Sequence, residues 1–389
     1  MNKLHFFIVL FLFSSLQFMA QQKLSPKATV SVVTCGPGNE LYSTFGHSAF
    51  RIYDPLLGLD RVYNYGTFDF NAPNFYMNFV KGKLTYQLST ASFSRFLRAY
   101  QYEKRWVKIQ VLALTSKDKQ AVYDFLENNA KPENKEYQYD FFYDNCSTKI
   151  EDVIKTILKD KVEFSNSHIT SIKTHRDLIA DYTNEHQWSK FGIDLALGSV
   201  IDKKATKNDY KFLPDYIFEA FNNATIQNND NLEPLVLKEI TILKELPVNK
   251  SFEILSPLNV LVALSLLIVI ITYKNIKNKK RTKALDFVIY LLTGSIGVVV
   301  LLLWFATSHT ATYKNYNFLW AFAPNLVVAF YMLKSKLPKW VHYYNWILLG
   351  LIGIQFLLWA LKIQVFNTAL IPILLGLAVR YWFLAKKLN

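Results

Sequence analysis

Two kinds of hydrophobic pattern divide this chain. Up to about residue 250 the apolar positions come in short runs broken by turn residues; from residue 254 they come in long ones. Residues 27–34 (KATVSVVT) alternate apolar and polar, as a half-buried strand does. Gly36-Pro37-Gly38-Asn39 ends that strand in a loop. Residues 46–53 predict a second strand, Asp54-Pro55 and Gly58 a turn, and residues 61–66 (RVYNYG) a third strand running back. Further strands are expected at 84–90 and 106–114, with a helix at 92–101 between them. Thr115 caps a helix that presents Ala121, Val122, Phe125 and Leu126 on one face. Residues 145–158 predict a helix with Ile150, Val153, Ile154 and Ile157 inward. Residues 171–222 are expected to be mainly helical, interrupted at Gly192, Gly198 and Pro214. The Asn-rich 222–231 reads as a loop and 234–247 as a short helix before the membrane.

Five apolar runs follow, at 254–273, 285–306, 317–333, 341–361 and 366–385. Each is long enough to cross a hydrocarbon core of about 30 Å as a helix. The charges between them set an orientation. Residues 274–283 carry six Lys and Arg, and Lys334, Lys336 and Lys339 lie in the next alternate loop, whereas the opposite loops offer Lys314 and Lys362. The positive-inside rule puts the first set in the cytoplasm and residues 21–250 outside it. The N-terminus agrees: Lys3, an apolar run over 4–12, then Ser14, Ser15 and Ala20 form a signal segment with a cut after residue 20. Phe18 departs from the small-x-small rule at that cut, so an uncleaved anchor stays open. The expected division is therefore a signal peptide at 1–20, an exported domain at 21–222, a linker at 223–250 and a membrane domain at 251–389. The expected location is the inner (cytoplasmic) membrane, multi-pass, with the N-terminal domain in the periplasm.

Charge supports this rather than nucleic-acid binding. The chain carries 44 Lys and Arg against 30 Asp and Glu, but +12 of the +14 excess lies after residue 250, where Glu253 and Asp286 are the only acids. A basic excess laid between membrane runs speaks of topology, not of a folded basic surface.

Candidate chemistry rests on two stretches. In residues 42–53 (YSTFGHSAFRIY) His47 opens a strand behind a small residue; in residues 139–148 (YDFFYDNCST) Cys146 stands where a loop becomes a helix. A thiol attacks a carbonyl as thiolate, and both a nearby imidazole and a helix N-terminus lower its pKa. Free N–H groups at that terminus also suit an oxyanion. The pattern thus predicts Cys146 as nucleophile and His47 as base. A third polar group should fix the imidazole tautomer; the partner strand offers Asn64, the favoured third catalytic residue, with Asp69 just beyond. Arg51, His309 and Asn315 are candidates for substrate binding. The histidines show no metal-ligand spacing, and no cofactor is expected. A structural reading competes: Cys35 and Cys146 are the only cysteines, and two cysteines in an exported domain often form a disulfide.

The segments CGPGNELYSTFGHSAFRIYD, VYNYGTFDF, YQYDFFYDNCSTKI and the FGIDLALGSVIDKKA…FLP run resemble the Lnb-type periplasmic domain, over roughly residues 25–222 and with a membrane tail of the matching kind. The resemblance implies an α+β papain-like (permuted NlpC-type) exported domain followed by an all-α five-helix transmembrane domain. It implies a lipoprotein N-acyltransferase with His47 and Cys146 as catalytic pair. Its partners would be a phospholipid acyl donor and the N-terminal amine of a diacylglyceryl-cysteine lipoprotein, with no nucleic acid. Two alternatives remain: a papain-like cysteine hydrolase acting on cell-wall peptides, and a non-catalytic membrane sensor or scaffold held by a disulfide.

Overall fold

The computed structural model describes residues 22–83, 85–228, 231–246 and 254–386. The signal segment 1–20 and the junction 247–253 lie outside the described residues. The N-terminal part is an α/β domain built on a seven-stranded antiparallel sheet in the order β10-β5-β1-β2-β3-β4-β6. The strands are β1 (Thr29–Cys35), β2 (His47–Asp54), β3 (Leu59–Thr67), β4 (Thr85–Ser92), β5 (Val107–Leu112), β6 (Glu136–Gln138) and β10 (Val236–Leu243). A second sheet joins β7 (Val162–Phe164), β8 (Ala224–Asn228) and β9 (Asn231–Pro234).

Alternation in the strands sends side chains to both faces of the large sheet, and helices cover each. A short helix α1 (Phe75–Val80) lies between β3 and β4. Helix α2 (Phe93–Tyr102) lays Phe93, Phe96 and Tyr100 against Val33, Ala49, Val62 and Ile109. On the other face Val32, Phe50, Ile52 and Tyr63 pack against α3 (Ser116–Asn129) and α4 (Cys146–Leu158). Thr115 caps α3 as expected, its hydroxyl accepting from the Asp118 N–H at 3.2 Å. Ile150, Val153 and Ile154 of α4 are buried, each contributing about 1.5–3 kcal/mol to docking the helix whose first residue is Cys146.

Downstream, α5 (His175–Thr183), α6 (Gln187–Ala196) and α7 (Pro214–Asn222) follow. Gly192 does not interrupt α6, because a single exposed-side glycine costs only about 1 kcal/mol in a helix. Pro214 opens α7 rather than breaking a helix, since its missing N–H is one that a first turn leaves unpaired anyway. Two expectations fail. Residues 224–228 and 236–243 are strands, not loop and helix. Ile240 and Ile242 of β10 pack on the sheet core beside β5, a tertiary gain that overrides the local signal.

The C-terminal region is helical: α8 (Pro257–Lys277), α9 (Lys283–Phe305), α10 (Asn325–Tyr331), α11 (Lys339–Ala360) and α12 (Leu370–Ala385). Among the described residues, α8, α9 and α11 are long and apolar enough to cross a membrane, and α12 is a shorter apolar helix. The run at 317–333 is not one helix. Pro324 has no N–H, and regular α-helix begins only after it, at Asn325. Gly294 and Gly297 let that broken segment lie backbone-close on α9: a Cβ on Gly297 would meet the Ala321 carbonyl oxygen at 1.9 Å. At one end of the bundle Asp286 is buried between Arg281 (2.9 Å) and Arg380 (2.6 Å).

The two regions are joined by hydrogen bonds. Asn315 Nδ2 donates to the Leu195 carbonyl at 2.7 Å, Asn317 Nδ2 to that of Asp194 at 3.1 Å, and Asn367 Nδ2 to the Asp194 carboxylate at 2.9 Å. Asp194 in turn holds buried Arg176, which Asp202 also pairs.

Candidate active site

The site forms where the start of β2, the end of β3 and the start of α4 converge. Gly46, at φ +82°, turns the chain into β2 against the Cys35 carbonyl, so that His47 is the first residue of the strand. Asn64 projects from β3, one step beyond the Phe50–Tyr63 pair and therefore on the same face as His47. His47 Nε2 lies 2.5 Å from Asn64 Oδ1. With the amide oxygen accepting, the ring proton is fixed on Nε2 and Nδ1 is left without a proton, free to act as a base.

Past Asn64 the β3–β4 register shifts, and the irregularity falls on Gly66, at φ +82°. A Cβ there would stand 3.3 Å from that of Cys146. The bulge thus gives the head of α4 room to reach the sheet. Asn145 caps α4, its side-chain oxygen accepting from the Ser147 and Thr148 N–H groups at 2.8 and 3.0 Å. Its amide donates to the carbonyls of Phe141 and Phe212 at 2.8 and 2.7 Å, which fixes the loop carrying the cysteine.

Burial opposes ionisation of the Cys146 thiol. The charge and hydrogen bond of His47, the Ser48 N–H and the Ser147 hydroxyl outweigh it and hold the thiol below its ordinary pKa. Burial likewise disfavours a charged His47, and the Cys146 sulfur together with Asn64 outweighs it, so the imidazole sits above its usual value. Cys35 behaves oppositely: buried among apolar side chains, its thiol is pushed up to about 12. Both sulfurs are free.

His47, Asn64 and Cys146 come together; Arg51, His309 and Asn315 do not join them. Arg51 lies four residues along β2, about 13 Å on. It makes a two-pronged pair with Asp60 at 2.7 and 2.9 Å and covers the Phe93 ring. Asn315 is fully buried in the joint between the two regions. His309 Nε2 meets the Phe79 carbonyl at 3.1 Å, beside α1. Sequence reasoning missed the tyrosines around the sulfur. Burial first, and then Cys146, push the Tyr86 phenol up to about 12, and the same causes raise Tyr139. The short YQYDFFYD run before the cysteine was the available signal.

Two family models match the chain in order, the Lnb N-terminal periplasmic domain over residues 17–181 and the Lnb transmembrane domain over residues 249–388. The chain belongs to the Lnb-type family. The Lnb-type chain is accordingly a membrane protein with an N-terminal periplasmic domain, and its two domains point to a lipoprotein-modifying role. No curated protein and no solved structure matches it. On the periplasmic side its membrane region touches the loop that leads to Cys146: Thr310 Oγ1 donates to Asp140 Oδ2 at 2.8 Å, and Asp140 pairs backbone to backbone with Asp144.

Proposed function

We propose that the protein is a lipoprotein N-acyltransferase working through a Cys146 thioester. His47 is the base and Asn64 the group that orients it. The observation that carries this reading is the thiol of Cys146, at the first residue of a capped helix, held low by the charge of an imidazole that Asn64 holds from behind. In the first half-reaction the thiolate attacks an ester carbonyl of a phospholipid. The S–C bond forms, the ester C–O bond breaks, and His47 gives its proton to the departing alcohol oxygen, leaving a lysophospholipid. In the second the N-terminal amine of a diacylglyceryl-cysteine attacks the thioester. The C–N bond forms, the C–S bond breaks, and His47 takes the proton of the amine. The Cys146 N–H, which the Asn145 cap does not use, is available to the oxyanion in both steps.

The fold we infer is a permuted papain-like one, with the histidine strand ahead of the cysteine helix; β10 carries it past the expected boundary at 222 to about residue 243, and a membrane domain follows from 251. We infer five crossings, the third broken at Pro324. Arg281 bonds to the Met332 and Lys334 carbonyls at one end of that segment, while Asn317 bonds to the periplasmic domain at the other. A joint of this kind keeps the thiol near lipid depth, where water competes less with the amine for the thioester.

Mass spectrometry of lipoprotein N-termini tests the reading, in cells whose sole enzyme of this kind carries Cys146→Ser. Loss of the amide-linked chain is expected. Unchanged N-acylation would refute it.

A further inference from the structure

Residues 70–80 (FNAPNFYMNFV) contain no charge, and the helix α1 within them shows its apolar side chains to the outside. Tyr76 is 71% exposed, Phe79 50% and Val80 57%. A contiguous exposed apolar patch of this sort marks a surface that something covers. The position of α1 says what. The Ser308 N–H, three residues past the end of α9, donates to the Lys81 carbonyl at 2.8 Å, and Gly82, at φ +68°, lies against the His309 ring. Helix α1 is therefore pinned beside the periplasmic end of a membrane-length helix whose last turn exposes Leu302 and Phe305. Trp304 packs there on Tyr313 and Phe318, an aromatic collar of the kind found at a membrane boundary. Lys81 and Lys83, both exposed, follow α1 directly and suit lipid phosphates at that level.

Behind α1 the aromatic rings form a connected row. Phe79 and Tyr76 lie against Phe75, at 6.3 and 5.4 Å between centroids; Phe75 stacks on Phe68 at 5.6 Å; Phe68 meets Tyr86 at 5.0 Å; and Tyr86 stacks on Tyr139 at 4.1 Å. Tyr86 and Tyr139 are among the phenols that Cys146 raises. Phe68 is two residues past Gly66, which touches Cys146 itself. The row thus starts at an exposed face beside the end of α9 and ends at Tyr86 and Tyr139, whose phenols feel the Cys146 charge.

We propose that α1 is an acyl-chain entry: Tyr76 and Phe79 seat in the periplasmic leaflet, and Phe75, Phe68 and Tyr86 lead one acyl chain of a bilayer phospholipid to Cys146. The seating of α1 in lipid stands on geometry alone, whereas delivery to the sulfur rests on the acyl-transfer reading above. A row of aromatic faces accepts chains of varied length without needing a polar partner.

The test uses the full chain in phosphatidylethanolamine/phosphatidylglycerol vesicles and has two arms. In the first, a Cys146→Ser background carries Tyr76→Cys with a nitroxide label, and power saturation compares oxygen with a water-soluble nickel complex. Leu302→Cys serves as the lipid reference and Tyr102→Cys, at a site 89% exposed, as the water reference. The label at position 76 is expected to follow the lipid reference; a match to the water reference overturns the seating. In the second arm, a chain with Tyr76→Asp and Phe79→Asp is acylated at Cys146 by vesicle phospholipid and, separately, by water-soluble p-nitrophenyl acetate. The ratio of the two rates should fall roughly tenfold or more against the unmodified chain, since charge is costly in the bilayer. An unchanged ratio overturns the entry. If the unmodified chain is acylated by neither donor, the acyl-transfer reading fails, and the label arm still decides where α1 sits.

Discussion

His47 and Asn64 are diagonal neighbours on one face of the sheet, 2.5 Å apart from ring nitrogen to amide oxygen. That contact fixes the tautomer, with the proton on Nε2. The thiol is held low and the imidazole high, each by the other against the effect of burial. Alkylation by iodoacetamide follows the thiolate, so its midpoint in the unmodified protein should lie below that of an ordinary thiol. His47→Ala should move the midpoint upward, because burial persists and the opposing imidazole is gone. On the acylation rate the same change should cost on the order of 10²–10⁴-fold. Asn64→Ala removes one hydrogen bond, about 1 kcal/mol, and should slow acylation roughly fivefold. One thiol should label in the native protein and two after unfolding, since the Cys35 thiol is pushed up to about 12.

The approach of Cys146 to the sheet depends on Gly66. It shares a positive φ with an ordinary turn glycine, and what separates it is a sulfur-bearing side chain at contact distance. Gly66→Ala should cost about 1–3 kcal/mol from backbone strain and also push the head of α4 outward. Gly58 is the control, with a φ of +61° and open space around it. Gly58→Ala should lower the melting temperature while leaving the iodoacetamide midpoint in place; Gly66→Ala should change both. Equal thiol profiles in the two variants would mean that the bulge does not position the cysteine.

These residues show where the sequence was legible. The strands β1, β2 and β3 and the cap at Thr115 were readable, because alternation and capping chemistry are local. His47 and Cys146 were readable as types in context. That Asn64 faces His47 was not, because a one-residue slip in register turns every side chain of a strand to the other face. Asn315 and His309 look like free polar groups on an outer loop, yet each is spent on a backbone carbonyl of the exported domain. Nothing local distinguishes a loop that binds a ligand from one that binds its own chain. Strand β10 was misread for the same reason: its partner β5 lies well over a hundred residues earlier.

The joint between the two regions is itself testable. Asn317 is buried, donates to the Asp194 and Leu195 carbonyls, and accepts from the Trp320 indole at 3.0 Å. Asn317→Ala leaves those groups without their partner in a dry site, at a cost of about 1–3 kcal/mol. The expected result is faster proteolysis between the two regions in detergent, with the Cys146 alkylation profile unaltered. Proteolysis at the original rate would show that the joint is held elsewhere.

Asp286 is the one acid among the described spans, fully buried with Arg380, which also reaches Asn275 at 2.8 Å and Thr272 at 3.2 Å. Arg281 shares the same carboxylate and holds the Met332 and Lys334 carbonyls. The cluster thus ties α8, α9, α12 and the end of the broken segment at a single point. Asp286→Asn leaves two guanidinium groups short of their counter-charge, and removing one partner of a buried pair typically costs about 3–5 kcal/mol. Asp286→Leu combined with Arg380→Met removes the main pair together and should recover part of that loss, though Arg281 still lacks its carboxylate. Thermal unfolding of the full chain in detergent reads the order: unmodified protein most stable, the double variant next, Asp286→Asn least. A double variant no better than Asp286→Asn would place the stabilisation in Arg281 and its two carbonyls rather than in the Asp286–Arg380 pair.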